Sequence, residues 1–237
     1  MTTRIGLTGD GMFGRNVDRR QRTRPPDAVW GDLGHRLAAL DGVFVNLACA
    51  LSTRGERWTR TYRPFHFRAD PSWATDALEA AGVRFAALAN NHLLDFGETT
   101  LLDTLDALDD ADIAHAGAGP DREAARAPAV VDVAGTRIAL VSFTDNTPEY
   151  AADGDSPGVG HCRMDPDDPG DRAVLERSLD RAREHDPDLL VASLHWGPNM
   201  EAEPSERHRR FGRWPAGRVD LIHGHSAHVF QGIELVD

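Results

Sequence analysis

Lysine is missing from this sequence of 237 residues, and all 26 basic residues are arginine. A pyridoxal phosphate enzyme needs a lysine to form its Schiff base, and a P-loop needs the lysine of its GK[ST] motif. The missing lysine therefore excludes both classes, and we expect no pyridoxal phosphate.

Cysteine and long apolar stretches are scarce as well. Cys49 and Cys162 are too few for a disulfide framework, so the fold does not depend on an oxidising compartment. No apolar stretch reaches the roughly 18 residues of a membrane span, and the first apolar run starts too close to Met1 to leave room for a signal peptide. We therefore expect a cytoplasmic protein with no membrane partner.

Positive charge is also in deficit, because 38 acidic residues outnumber the basic ones and give a net charge of −12. Binding to nucleic acid requires a basic face, so the composition argues against nucleic acid as a partner. A local basic patch nevertheless survives at residues 19–24.

Short apolar runs alternate with segments of helical periodicity. The runs predict buried strands at residues 5–8, 43–47, 83–89, 129–133, 138–143, 189–194 and 219–222. Apolar spacings of three and four predict helices at residues 30–40, 72–81, 98–108 and 172–185. Loops are expected at 117–121 and 153–170, the second long enough to act as a lid or substrate loop. Without a repeat or a linker, residues 1–237 are predicted to form one α/β domain.

Side chains that can bind a metal follow four of these apolar runs. They are Asp10, Asn91, His92, His195, His223 and His225. Because ligands of open α/β sheets bind at the carboxyl ends of the strands, residues far apart in sequence are expected to converge at one edge. Carboxylate, amide and imidazole groups suit Mn, Zn or Fe, and also Mg or Ca if water fills most positions. The sequence therefore predicts a divalent metal site and leaves the metal open.

Seven motifs occur in order along nearly the whole chain: TGDGMFGR, NLACALSTRGE, FHFRADP, ALANNHLLDFG, AGAG, SLHWGPNM and HGHSAHVFQGIE. In these motifs the sequence resembles the CapA family, named for bacterial capsule and poly-γ-glutamate synthesis, within the calcineurin-like metallophosphoesterase superfamily. The resemblance implies a four-layer α/β/β/α sandwich of two mixed sheets with helices outside and a metal site at the strand carboxyl ends. It places at that site Asp10, Asn91, His92, His195, His223 and His225, with His228 just beyond.

Two departures from the family pattern stand out. The second family motif usually reads NLE, with the carboxylate as a ligand, whereas Ala48 replaces that glutamate here. Losing this oxygen weakens a two-metal site and with it the expectation of phosphoesterase chemistry. Family members also continue beyond the GHSAH segment, whereas this sequence stops at Asp237, so we expect either a short member or a domain lacking C-terminal strands.

Acid–base chemistry is the reaction type that these residues favour. His92 and Asp95 can face the same side of a helical turn, and Asp10 and His225 offer a second carboxylate and imidazole. We expect these four residues to be catalytic, and we prefer them to the two thiols, since cysteine is commonly a buried apolar residue. Candidates for contact with a peptide or poly-amino-acid substrate are Arg15, Asn46, Arg54, Arg57, Trp196 and His228.

Three functions are compatible with the predicted metal site and acid–base residues. Two acid–base pairs on opposite faces of a carbon suit cofactor-independent epimerisation of a peptide residue, and the CapA family includes epimerases of ribosomal lasso peptides. This is the favoured hypothesis. The alternatives are an enzyme of poly-γ-glutamate or capsule biosynthesis, and a metallophosphoesterase.

Overall fold

The computed structural model describes residues 2–236, and its secondary structure is mixed. The strands are β1 (Ile5–Gly11), β2 (Gly42–Leu47), β3 (Ala50–Leu51), β4 (Arg68–Ala69), β5 (Val83–Ala87), β6 (Ala114–Ala116), β7 (Ala118–Gly119), β8 (Ala129–Val133), β9 (Thr136–Thr144), β10 (Gly158–Val159), β11 (Leu189–His195) and β12 (Leu221–His225). The α-helices are α1 (Asn16–Gln21), α2 (Gly34–Leu37), α3 (Pro71–Ala80), α4 (Glu98–Asp110), α5 (Arg122–Ala125), α6 (Pro169–Arg183) and α7 (Glu206–Ala216).

Two four-stranded sheets form the centre of the fold. The first sheet has the order β1-β2-β5-β6 and is wholly parallel, and the second has the order β12-β11-β9-β8, in which only β8 runs antiparallel. All seven predicted strands lie in these sheets, which confirms the α/β class. Parallel strands share the direction in which they end, so the polar residues after β1, β2 and β5 lie at one edge.

Three apolar clusters fill the interior. One packs the first sheet against α3 and α4 through residues such as Leu78 and Leu101, and another packs the second sheet against α6 and α7 through Leu179 and Phe211. The third contains side chains from both sheets, including Phe44 of β2 with Leu140 of β9, and is therefore shared by the two sheets. Burial of these side chains supplies the main favourable free energy of folding.

Helix prediction succeeded where the chain carries strong start signals. Asp70 caps α3 by accepting the backbone N–H of Ser72, and Pro71 occupies the first helical position. The helix predicted at 30–40 is present only in part, because this segment forms a 3₁₀ turn at Gly31–Leu33 followed by the four-residue α2. Gly31 has a φ of +53°, a left-handed conformation that an α-helix does not accommodate.

The predicted loop at 153–170 is shorter than expected, and part of it is held in a two-stranded sheet. Its strand β10 pairs with β7, and α6 begins at Pro169 rather than at residue 172. The apolar pattern of the sequence does not predict α7, which contains four arginines and an internal Pro215. No helix within residues 2–236 combines the length and apolar character that a membrane span requires.

Gly117, between β6 and β7, provides a test of this packing. Its φ is +95°, and an added Cβ would lie 2.6 Å from Ser142 Oγ and 2.7 Å from Ala89. We expect Gly117→Ala to lower the free energy of unfolding by about 2–4 kcal/mol, from left-handed strain plus overpacking. Urea denaturation followed by circular dichroism measures this change.

The matched control is Gly135→Ala. Gly135 also has a positive φ, +82°, but no atom lies within 4 Å of the added Cβ. Its substitution should lower the free energy of unfolding by only about 1 kcal/mol, the cost of the left-handed backbone conformation for alanine. Equal losses for the two variants would contradict the close packing described around Gly117.

Candidate metal centre

Three side chains from the two sheets meet at the strand carboxyl ends. Asp10 lies on β1, His195 ends β11 and His225 ends β12, and one ligand atom from each lies within 4.8 Å of the others. They meet because β1 and β12 are edge strands of the two sheets and lie next to each other. Together these residues could hold a divalent metal ion.

The environment keeps these imidazoles neutral. Burial lowers the pKa of His195 below its usual value, although the nearby Asp10 carboxylate acts in the opposite direction. Burial likewise lowers the pKa of His225 far below the usual value, helped by the charges of His195 and His223. A neutral imidazole has a nitrogen lone pair that can bind a metal ion. At neutral pH, His195 and His225 are therefore in the protonation state that a metal ligand requires.

His225 carries a ring nitrogen with no hydrogen-bond partner. Its Nε2 lies 2.9 Å from Ser193 Oγ, whereas its buried Nδ1 has no hydrogen-bond partner within residues 2–236. This Nδ1 lies 4.0 Å from Asp10 Oδ1. When Nε2–H donates to Ser193, Nδ1 presents its lone pair beside the carboxylate. An unpaired buried nitrogen is unfavourable, so this atom fits a metal ligand.

His195 is oriented by residues that the sequence analysis missed. The hydroxyl of Thr144 donates to the His195 carbonyl at 2.8 Å, and its oxygen lies 3.3 Å from His195 Nδ1. Asn146 Nδ2 also lies 3.3 Å from that nitrogen. Thr144 ends β9, and its neighbour β11 ends at His195, so only the pairing of these strands reveals the contact.

Asn46 lies behind Asp10 rather than at the surface. It is fully buried, and its amide donates to Asp10 Oδ1 at 2.6 Å. Its own Oδ1 accepts from Asn90 Nδ2 at 3.3 Å. Asn46 therefore holds the carboxylate in place, whereas its predicted role was contact with substrate. The side chain of Asn90, not that of its predicted neighbour Asn91, joins this network.

His228 and His223 lie around the same carboxylate. The Nδ1 of the exposed His228 lies 3.2 Å from Asp10 Oδ2. The ring centroid of His223 is 5.2 Å from that of His225, and burial lowers the pKa of His223. Asn91, the remaining predicted ligand, is half-buried, and its carbonyl accepts a hydrogen bond from Arg63 at 2.9 Å.

The predicted pair of His92 and Asp95 is present beside this centre. His92 Nδ1 lies 2.7 Å from Asp95 Oδ2, and Asp95 is fully buried. The same carboxylate accepts the Phe67 backbone N–H at 2.8 Å and the Tyr150 hydroxyl at 3.1 Å. Burial first, and then the Asp95 charge, raise the pKa of Tyr150. The charge of His92 also lowers the pKa of His195, so the pair adjoins the three ligand residues.

The remaining predicted substrate residues lie in different surroundings. Arg54 is paired with Asp103 of α4, so its guanidinium is already occupied. Trp196 packs into the core of the second sheet, with its ring 5.5 Å from that of His208. Arg57 is exposed. Only Arg15 is linked to the centre, through the ring of Phe67 at 5.8 Å.

The two thiols lie inside the protein. Cys49 is fully buried and Cys162 is 3% exposed. Burial raises the pKa of the Cys49 thiol, and it raises that of Cys162 to about 12. Neither thiol is therefore suited to proton transfer at neutral pH.

Comparisons with known proteins identify the family of this chain. The family model described as "Bacterial capsule synthesis protein PGA_cap" matches residues 4–237. A probable polyglutamine synthesis accessory protein of Mycobacterium tuberculosis (strain H37Rv) is 35% identical over 224 residues, covering 89% of this chain and 57% of the relative. The capsule biosynthesis protein CapA of Bacillus anthracis is 28% identical over 236 residues, covering 97% of this chain and 55% of the relative.

A solved structure shows a similar fold. The crystal structure of a hypothetical protein from Thermus thermophilus matches with a TM-score of 0.50 at 18% identity, covering 96% of this chain and 69% of that one. The chain spans little more than half the length of the two curated relatives described above. The family model covers nearly every residue, and with these relatives it establishes that the chain belongs to the CapA family of bacterial capsule synthesis proteins.

Proposed function

We propose that this chain is a metal-dependent CapA-family enzyme that hydrolyses amide bonds of an acidic poly-amino acid of the poly-γ-glutamate type. The observation that carries the proposal is the unpaired, buried Nδ1 of His225, which lies beside Asp10. Around this atom the fold assembles His195 and the pair of His92 and Asp95. These groups supply metal ligands and an acid–base residue at one edge of the sheets.

The chemistry follows from the roles of these residues. Asp10, His195 and His225 would hold a divalent ion, and such an ion would supply Lewis acidity for amide hydrolysis. Asp95 accepts Nδ1–H of His92 and fixes the ring, so that Nε2 can take a proton from water and return it to the leaving amine. The donors from Phe67 and Tyr150 keep Asp95 in place as an acceptor.

The substrate class comes from the family. Relatives are named a polyglutamine synthesis accessory protein, a capsule biosynthesis protein and, in Bacillus subtilis, a PGA biosynthesis protein. Poly-γ-glutamate is a chain of amides with one free carboxylate per glutamyl unit. An amide carbonyl is the type of group that a metal and a general base act on together.

The architecture proposed with this function is the four-layer sandwich of a single domain. The three apolar clusters support it, since one is shared by the sheets and the other two pack a sheet against helices. In that arrangement the edge strands β1 and β12 bring the two sheets' polar ends to the same site.

A second candidate is epimerisation at an α-carbon of the same substrate class. It is favoured by a specific observation, the presence of two imidazole–carboxylate contacts, His92 with Asp95 at 2.7 Å and His228 with Asp10 at 3.2 Å. Two such pairs on opposite faces of a carbon would remove and return a proton.

Metal binding is the first test. Protein purified without chelator should contain about one equivalent of divalent metal, and titration calorimetry of the stripped protein should measure its rebinding. We expect Ser193→Ala, which removes the partner of His225 Nε2, to weaken binding by about 10- to 100-fold, and His225→Ala to weaken it further.

The control for metal binding is His35→Ala, which removes an exposed imidazole from α2. It should bind metal as tightly as the unmodified chain. If the metal-free protein binds none of Mn, Zn, Fe, Mg and Ca, the assignment of these residues as a metal centre is wrong.

The acid–base role of His92 is the second test. With metal-loaded protein and oligo-γ-glutamate in deuterated water, we expect new amines by mass spectrometry and no deuterium at the α-carbons. His92→Gln should lower kcat by about 100-fold or more, because the proton transfer is lost. His185→Ala, an exposed histidine after α6, is the matched control and should keep full activity.

The outcomes of this assay separate the candidates. Deuterium at an inverted α-carbon without new amines would establish epimerisation and refute hydrolysis. Full activity of His92→Gln would remove this residue from the mechanism in either case.

Phosphoesterase chemistry is expected to be weak. Ala48 is 1% exposed and offers no carboxylate, so Asp10 is the one carboxylate in the described ligand group. Hydrolysis of aryl phosphates with Mn, Zn or Mg should therefore stay near background, because two-metal catalysis needs bridging carboxylates. Rapid release of nitrophenol by the unmodified chain would contradict this expectation.

A further inference from the structure

The helix α1 and its flanks concentrate positive charge in an acidic protein. Residues 15–24 contain five arginines and one aspartate, while the whole chain has a net charge of −12. Arg22 is paired with Asp18 at 2.9 Å. The other four arginines, at positions 15, 19, 20 and 24, are exposed and form no ion pair within residues 2–236. We call these four residues the arginine surface.

Three residues of the arginine surface lie around a shallow, open depression. Arg19, Arg20, Thr23 and Arg24 line an open depression of about 570 Å³. Like charges held together without counter-charges repel one another, so this arrangement favours binding of an anion. Guanidinium groups bind carboxylates bidentately, which suits a ligand with several carboxylates in sequence.

Arg15 connects this surface to the metal centre. Its guanidinium lies 5.3 Å from the ring centroid of the exposed Phe65 and 5.8 Å from that of Phe67. The Phe67 ring in turn lies 4.7 Å from the ring of His92. Arg15 also has a φ of +60°, a conformation that costs free energy in a non-glycine residue and that recurs at functional sites.

We propose that the arginine surface docks the carboxylates of a polyglutamyl chain and leads that chain past Phe67 to His92. The identity of the polymer rests on the proposed function, while the docking itself rests on the charge and position of these arginines. Of the two polyanions that arginines bind, a polycarboxylate is favoured over a nucleic acid, because four arginines make a short surface and the relatives are named for capsule and PGA biosynthesis.

The test is equilibrium binding of fluorescein-labelled oligo-γ-glutamate to the metal-free, full chain by fluorescence anisotropy. We expect Arg19→Glu/Arg20→Glu to weaken binding by about tenfold or more, and binding to weaken as salt is added. Arg19→Gln/Arg20→Gln should give a smaller loss in the same direction. Circular dichroism shows whether each variant is folded.

The matched control is Arg36→Glu/Arg177→Glu. It makes the same change in net charge at two exposed arginines that lie on α2 and α6 and form no ion pair within the described residues. Binding by this control should stay within about twofold of the unmodified chain, because exposed charges away from the site are screened. An equal loss in both double variants, or no loss in either, would overturn the proposal.

Two further measurements distinguish failure of the docking proposal from failure of the proposed function. Labelled single-stranded DNA of equal charge should bind more weakly, and equal or tighter binding of DNA would overturn the assignment to a polycarboxylate. His225→Ala should lose metal yet keep polymer binding. Arginine-dependent binding without any amide hydrolysis would support docking and refute the proposed function alone.

Discussion

The buried carboxylate of Asp10 sets the main constraint on this structure. Its side chain is 7% exposed, and an ion at such a position is strongly unfavourable unless charges or donors surround it. Asn46 donates its amide to this carboxylate at 2.6 Å, and Nδ1 of His228, which follows β12, lies 3.2 Å from it. Asp10 therefore lies where the two sheets meet, close to His195 and His225 of the second sheet.

A second buried carboxylate, Asp95, has a different environment and a different role. Its partners are a backbone N–H, a phenol and the ring of His92, all of them hydrogen-bond donors. Asp10 instead faces neutral imidazoles with lone pairs, one of which lacks a partner. The first environment orients a proton-transfer residue, and the second suits a cation. Two carboxylates at the same edge are thus specialised by their neighbours.

Membership of the CapA family explains the shared scaffold, while Ala48 marks how this chain differs. A resemblance to the family predicts a glutamate at that position, and here the position is buried and apolar. With Asp10 as the one carboxylate of the described triad, this ligand group lacks the second carboxylate that a two-metal site needs. The acid–base pair beside it then carries more of the proposed chemistry.

The pattern of the sequence was sufficient for the elements with long apolar runs or clear caps. Strands such as β2 and β9 and the capped helix α3 were predicted because buried runs and N-cap signals are local properties. The three-residue β6 and the arginine-rich α7 were not predicted. β6 is too short to give an apolar run, and α7 has few apolar residues and an internal Pro215, although Ser205 caps it.

By itself, the sequence predicted that Asp10, His195 and His225 would converge, because each lies at the end of an apolar strand. The tertiary structure decided that they come from two different sheets, whose edge strands β1 and β12 lie next to each other. Only the tertiary structure decided which neighbouring side chains point into the site. It turned Asn90 rather than Asn91 toward Asn46, buried Asn46 behind Asp10, and engaged Arg54 with Asp103. Side-chain direction depends on the backbone angles after each strand and on partners far away in sequence, and neither is encoded in a local motif.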